Sequence, residues 1–442
     1  MNRLPPGPKG HFLVGNLPEL RRDPLGFLTM CARDYGDVVR YRVANVTAYL
    51  VNHPDYIESV LATNSRNFIK GRLEQASRYI WGDGLLTSEG NKWQRQRRMT
   101  APAFHRDRIE AYGDVIVAYA ERMLDNWRIG ETRDLHTEMK RLTLEIIAKT
   151  LFDADVTNNA KDVGAALTVA WEEFSARLST GMLIPANLPT PGNLRLRNAI
   201  RRLDKIVDRV IAQRKNDGGS ASDLLSMLLQ TTDDDGSRLT DEQLRDEVKT
   251  LFVAGHETTA LVLTWTCCLL SQHPQVEQKL RGELQQVLGS RHPTVAEIPR
   301  LRYTEMVIKE SMRLFPVVWA LPRVALNDCE IGGYHVPAGT SVTVSQWVMH
   351  RDARYFENPK EFQPERWSDD RARSLPKFAY FPFGGGPRHC LGHVMAMMEA
   401  ILLLATIVPR FRLTLVSAQT ITPCPSITLY PKTGMRMVIS KV

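Results

Sequence analysis

Residues 246–274 read DEVKTLFVAGHETTALVLTWTCCLLSQHP, with no proline until the stretch closes. The expectation is one helix of about eight turns, on the order of 40 Å long, ending before Pro274. An element of that length crosses a whole domain, so the rest of the chain must pack around it. Most periodic stretches between residues 54 and 285 are also helical, IEAYGDVIVAYAERMLDNW and LTLEIIAKTLF among them. Strand signals are confined to two places. At about residues 37–53 apolar and polar positions alternate around a short ANV turn, and at about 322–346 Gly-Gly and Pro-Ala-Gly punctuate a β-rich run. The expected fold is mainly α with a smaller β portion, as one domain over residues 1–442. Turn-rich stretches at 182–193, 214–223 and 231–243 are read as loops between helices.

The middle of the long helix is unusual. AGHETT places a small Ala254-Gly255 pair, then His256, Glu257, Thr258 and Thr259, between apolar flanks. Gly255 costs about 1 kcal/mol relative to Ala inside a helix, and Thr258 is able to turn its hydroxyl back on the carbonyl of Ala254. A local bulge is expected there, with room for a small ligand beside an acid and a hydroxyl suited to proton delivery. The competing reading is a helix-packing glycine with a satisfied buried glutamate.

Composition narrows the class. Hydrophobic residues at 43% and charged residues at 24% describe an ordinary globular chain. The six cysteines are scattered with no CxxC pair, which argues against zinc ribbons and a disulfide framework, so a functional cysteine acts singly. The longest apolar stretches, 260–270 and 391–408, are too short to span a bilayer or are interrupted by His393 and Glu399. No transmembrane segment is expected, and MNRLPPGPKG is read as neither signal peptide nor anchor, giving a cytoplasmic protein. The net charge of +8 permits an acidic partner. Cations crowd residues 91–108, but no nucleic-acid motif accompanies them, so no nucleic-acid partner is expected.

One loop remains, FGGGPRHCLG at residues 383–392. Its three glycines are consecutive and precede Pro387, which fails the GxGxxG pattern of a dinucleotide loop. As a nucleophile Cys390 would need an aligned base, and His389 is merely adjacent in sequence. A metal ligand is the third reading. Cys390 stands where loop becomes helix, near unpaired N–H groups that favour a thiolate, and glycine backbone lets a flat ligand lie close. A single thiolate does not enclose zinc or an iron-sulfur cluster, but it suffices as the one protein ligand of a haem iron.

Phe383, Gly386, Arg388, Cys390 and Gly392 resemble, position by position, the F-x-x-G-x-R-x-C-x-G haem loop of the cytochrome P-450 superfamily. Residues 254–258 resemble its oxygen-activating helix motif, Glu310 and Arg313 its E-x-x-R pair, and FQPERW its Pro-Glu-Arg-Phe-like segment, all in family order. The resemblance implies the cytochrome P-450 fold, of soluble bacterial type, with haem between the long central helix and the Cys-loop helix. It implies Cys390 as axial ligand of haem b, Ala254 beside the haem, Glu257 and Thr258 as the proton-managing pair, and a structural triad of Glu310, Arg313 and Arg366. Trp93 and Arg97 match W-x-x-x-R, whose members hold a haem propionate. Arg323, Arg388 and Lys70 are assigned to propionates by the same matching. Trp367 stands where Phe is commoner, a conservative change, and His389 is taken as a neighbour of the ligand.

The resemblance further implies a monooxygenase using O2 and NAD(P)H through separate partners, a ferredoxin or flavodoxin and its reductase, with no fused reductase. Residues 91–108, and Arg95 and Arg98 in particular, are the expected docking face. An apolar substrate such as a fatty acid, terpenoid or polyketide-like molecule is implied, lined by Leu73 and the 73–86 loop, Ala254, Val318, Trp319 and Ala320, with 182–193 as a mobile lid. A monomer is expected. A peroxide-driven peroxygenase and a haem sensor or ligand binder are the alternatives, and the Glu257-Thr258 pair speaks against both.

Overall fold

The alternation at residues 38–51 becomes an antiparallel hairpin, β1 (Val38–Val43) and β2 (Val46–Val51), with Val38 opposite Val51 and Val43 opposite Val46. The computed structural model describes residues 3–152, 163–170, 172–173, 188–216, 223–233, 236–417 and 419–442. The chain divides into two compact units. The first comprises Met1–Gln75, Lys309–Cys390 and Pro423–Tyr430, and the second Ala76–Ile308, Leu391–Thr422 and Pro431–Val442.

In the first unit the hairpin joins β3 (Phe68–Lys70), β4 (Leu321–Ala325) and β5 (Ser341–Val344) in the order β1-β2-β5-β4-β3. Only the β2–β5 pair is parallel. Side chains alternate between the faces of a strand, and here both faces are covered. Val39, Tyr41, Ala48 and Leu50 pack with Phe27, Leu28 and Cys31. Val38, Tyr49 and Val51 pack on the other side with Ile57, Val60, Phe378 and Phe381.

The second unit is built on helices α1 (Gly90–Thr100), α2 (Leu135–Phe152), α3 (Asp241–Gln272) and α5 (His393–Arg410). A further helix, α4 (Arg302–Leu314), carries the E-x-x-R pair. The long helix expected from residue 246 begins at Asp241, because TDEQ, read as loop, is a capping box. Thr240 Oγ1 accepts from the Gln243 N–H at 3.2 Å, and Gln243 Oε1 accepts from the Thr240 N–H at 3.0 Å. Against α3 lies α2, with the Phe152 and Phe252 rings stacked at 4.6 Å. A sheet that the sequence reading did not mark joins Thr132–Asp134, Arg436–Lys441 and Phe411–Leu415. Among the described residues one helix, α5, is long and apolar enough to cross a membrane, and 67% of it is buried inside the protein. Residues 182–187 of the expected lid lie outside the described residues.

Candidate active site

The Cys loop is shaped by close packing in the first unit. Gly386 has φ +64, and a Cβ there would sit 1.9 Å from the Leu61 carbonyl oxygen, while one at Gly385 would meet the Phe378 ring at 2.3 Å. No other residue type satisfies both demands at 386. A short 3-10 turn, Gly386–Arg388, then brings the Cys390 N–H to the Phe383 carbonyl at 3.0 Å. Of the six cysteines Cys390 alone is exposed. Burial pushes the thiols of Cys31 and Cys267 up to about 12 and that of Cys268 up to about 11, which keeps them protonated. Among the described residues no group of three or more His, Cys, Asp or Glu is placed to hold a metal ion.

Lys70 and Arg323 are direct partners across β3 and β4, and both are buried, at 9% and 8% exposure. Lys70 is therefore not a surface lysine. Two cations side by side on adjacent strands suit a ligand with carboxylates. In the second unit Trp93 and Arg97 share one face of α1, with the guanidinium 5.8 Å from the indole centroid. A Cβ at Gly392 would meet the Phe104 ring at 3.6 Å, an ordinary van der Waals distance.

Glu310 is the hub of the E-x-x-R cluster and is fully buried. It accepts both nitrogens of an Arg313 fork at 2.8 Å, the Arg366 Nε–H at 3.1 Å, the Gln363 N–H at 3.0 Å and the Trp367 indole N–H at 3.0 Å. Arg313 also donates to the carbonyls of His350, Pro359 and Glu361, so the pair fastens the 350–367 segment. Trp367, expected to be a silent replacement for Phe, supplies a hydrogen bond that Phe lacks.

On α3 the expected bulge is absent, and the helix stays α-helical from Asp241 to Gln272. Thr258 Oγ1 does donate to the Ala254 carbonyl, at 2.6 Å, as anticipated. The glycine serves packing instead: a Cβ at Gly255 would sit 2.2 Å from the Ile147 Cδ1 of α2. Thr143 Oγ1, also on α2, donates to the His256 carbonyl at 2.8 Å. Ala254 is exposed and Thr258 half-buried, whereas Glu257 is buried. Its carboxylate faces α2, with Lys140 Nζ at 3.1 Å and His136 Nε2 at 3.8 Å. Burial by itself would push this carboxyl up, but His136, Lys140 and His256 outweigh it and bring it down to about 2. His256 is itself pushed down by burial.

Residues that sequence reasoning missed hold the 82–86 turn. The Asp83 N–H donates to Asp246 Oδ2 at 2.8 Å and the Leu85 N–H to Glu247 Oε2 at 3.1 Å. Asp246 and Glu247, to which the sequence reading gave no role, are both buried. Of the expected pocket residues, Leu73 is exposed and Val318, Trp319 and Ala320 are half-buried. The Trp319 indole N–H donates to the Ser426 carbonyl at 2.7 Å, and the Leu429 N–H to the Val317 carbonyl at 2.8 Å. Trp319 thus clamps two loops together.

The basic stretch is partly neutralised. Arg95 and Arg98 both pair with Asp233, and Lys92 pairs with Asp83 at 2.7 Å. The docking charge expected of Arg95 and Arg98 is therefore engaged within the protein.

Residues 5–436 match the family model described as cytochrome P-450. The chain belongs to the cytochrome P-450 family. It is 36% identical to cyclooctatin synthase of Streptomyces melanosporofaciens over 96% of this chain and 92% of that protein. It is 33% identical to pentalenene oxygenase of Streptomyces avermitilis, covering 96% and 94%. The fold matches a crystal structure of the cytochrome P-450DA heme domain with a TM-score of 0.90 and 27% identity, covering 100% of this chain and 98% of that one. This cytochrome P-450 is a monooxygenase whose family cofactor is haem. Its residues fit that group: one exposed thiol on a glycine-built loop, and a buried Lys70-Arg323 pair of a charge suited to propionates.

Proposed function

We propose that this cytochrome P-450 inserts one oxygen atom of O2 into an apolar terpenoid-like substrate, by hydroxylation or epoxidation, with NAD(P)H electrons delivered by a ferredoxin or flavodoxin and its reductase. The observation that carries the reading is Cys390, the exposed thiol on its close-packed glycine loop. The terpenoid class is supported by the names of the relatives, cyclooctatin synthase and pentalenene oxygenase, and fatty-acid or polyketide-like substrates share the required apolarity. When bound, haem supplies thiolate-ligated iron, which favours O–O cleavage.

The chain's own residues divide the remaining work. Cys390 would hold the iron, while Arg323, Arg388, Lys70, Trp93 and Arg97 would bind the propionates. Ala254 leaves space beside Thr258, whose hydroxyl offers a proton at Oγ1. Glu257 stays ionised at neutral pH and is a poor acid there. Its part is electrostatic: the carboxylate holds Lys140 and His136 against α3, one residue from Thr258 in the chain. Asp246 and Glu247 keep the 82–86 turn in place, and Trp319 ties the expected pocket residues 318–320 to the Ser426 segment.

The test begins with the reduced, carbon-monoxide-bound spectrum. A strongly red-shifted Soret band is expected and should vanish in Cys390→His; an unchanged spectrum in that variant defeats the assignment. Turnover of a terpene library with NADPH, ferredoxin and reductase, set against turnover with hydrogen peroxide alone, then separates the monooxygenase from a peroxygenase. Absence of any product with either oxidant would point to a haem sensor.

A further inference from the structure

We propose that the turn at residues 11–15 is a contact tip that seats Phe12 and Leu13 in the interfacial layer of an anionic lipid surface. Phe12 and Leu13 are the two most exposed large hydrophobic residues among those described, at 78% and 66%, and Leu4 nearby is 52% exposed. Single exposed apolar residues are ordinary, but two adjacent ones at the summit of a rigid turn are not.

The rigidity is visible in the backbone. His11 and Gly15 exchange reciprocal N–H bonds of 2.9 and 2.8 Å, closing a small loop. Gly15 has φ +63 and lies so close to β1 that a Cβ would stand 2.2 Å from the Arg42 carbonyl oxygen. Bonds from Asn16 N–H to the Arg42 carbonyl and from Ala44 N–H to the Val14 carbonyl, 2.6 and 2.9 Å, tie the loop to the β1–β2 hairpin. Beneath the tip, the Arg42 guanidinium donates to His11 O and Phe12 O at 2.7 Å each, to Leu13 O at 3.1 Å and to Ala44 O at 2.7 Å.

That last arrangement points to lipid. A backbone carbonyl entering a region of low dielectric without a partner costs several kcal/mol, and Arg42 satisfies the carbonyls of all three residues at the summit in advance. The surrounding charge selects the kind of surface. Arg3, Lys9, Arg21 and Arg22 are exposed in the same segment, against the single carboxylate of Glu19 at 3–22, and Arg40 is exposed on β1. Aromatic and aliphatic anchors flanked by cations are the composition of an interfacial contact on anionic headgroups. A second copy of a chain of charge +8 would bring cations against cations, so self-association through this tip is disfavoured. The preformed turn removes the ordering cost that a flexible segment would bear on contact.

The experiment is co-sedimentation of the haem-loaded protein with phosphatidylcholine vesicles, with and without phosphatidylglycerol. Wild type should sediment with the phosphatidylglycerol-containing vesicles, weakly with pure phosphatidylcholine, and should be released by salt. Phe12→Ser/Leu13→Ser should bind about tenfold more weakly with its carbon-monoxide spectrum and melting temperature unchanged. Lys9→Glu/Arg21→Glu should lose about fivefold per charge on the anionic vesicles. The proposal is overturned if wild type ignores anionic vesicles, or if the double-serine variant binds them as well as wild type. It is equally overturned if sedimentation velocity shows that Phe12 and Leu13 drive dimer formation and vesicles are not bound.

Discussion

Glu310 and Glu257 are both carboxylates buried on helices, and they are held in opposite ways. Glu310 takes five donors, two of them from an arginine one turn away on its own helix, and the Glu310–Arg313 pair is fully buried. Glu257 faces a neighbouring helix and depends on Lys140 and His136, more than a hundred residues earlier in the chain, which retain partial exposure. The first arrangement is a fastening. The second leaves the partners of the carboxylate within reach of solvent.

The sharpest way to break the contrast is to cut the fastening. Arg313→Ala leaves Glu310 buried without its fork, which costs roughly 3–5 kcal/mol, and little haem-loaded protein should accumulate; thermal melts and the haem-to-protein ratio check this. Next comes Glu399, another buried glutamate, which burial pushes up to about 8. Its folded form holds the proton more tightly than the unfolded chain does, so its favourable contribution is complete below about pH 4.5 and is lost as the pH rises through 8. Glu399→Gln should flatten that loss, a gain on the order of 3 kcal/mol at pH 9 relative to pH 5 in urea titrations.

Lys140→Met should be milder, costing about 2 kcal/mol at pH 7. Glu257 has a folded value of about 2, below its unfolded one, so its stabilisation is present above about pH 4.5 and is lost as the pH falls toward 2. Without Lys140 the loss should begin at higher pH, and a product-formation profile should shift with it while the carbon-monoxide spectrum stays the same. Trp367→Phe is the smallest change, removing one of five donors for about 1 kcal/mol. A cost of zero would mean that the indole bond is dispensable.

The same contrast explains what the sequence showed. Glu310 and Arg313 are three residues apart and Trp93 and Arg97 four apart, so helical periodicity alone places each pair on one face. The Cys loop was readable from its motif, although the steric demands on its glycines come from Phe378 and from Leu61, more than 300 residues away in the chain. Lys140 and His136 carry no local mark of their partner, and neither do Asp246 and Glu247, whose role depends on a turn more than 160 residues away. The bulge expected around Gly255 failed for a related reason. A glycine that eases one helix and a glycine that admits a neighbouring isoleucine look alike until the neighbour is known.

The Trp319–Ser426 bond bears on how this enzyme would respond to directed evolution. It couples the 317–319 segment to the 426–429 segment, so substitutions in the two should not combine as independent variables. Libraries that randomise both segments together are expected to reach product profiles that stepwise selection at either one misses, with Trp319 as the residue that sets the strength of that epistasis.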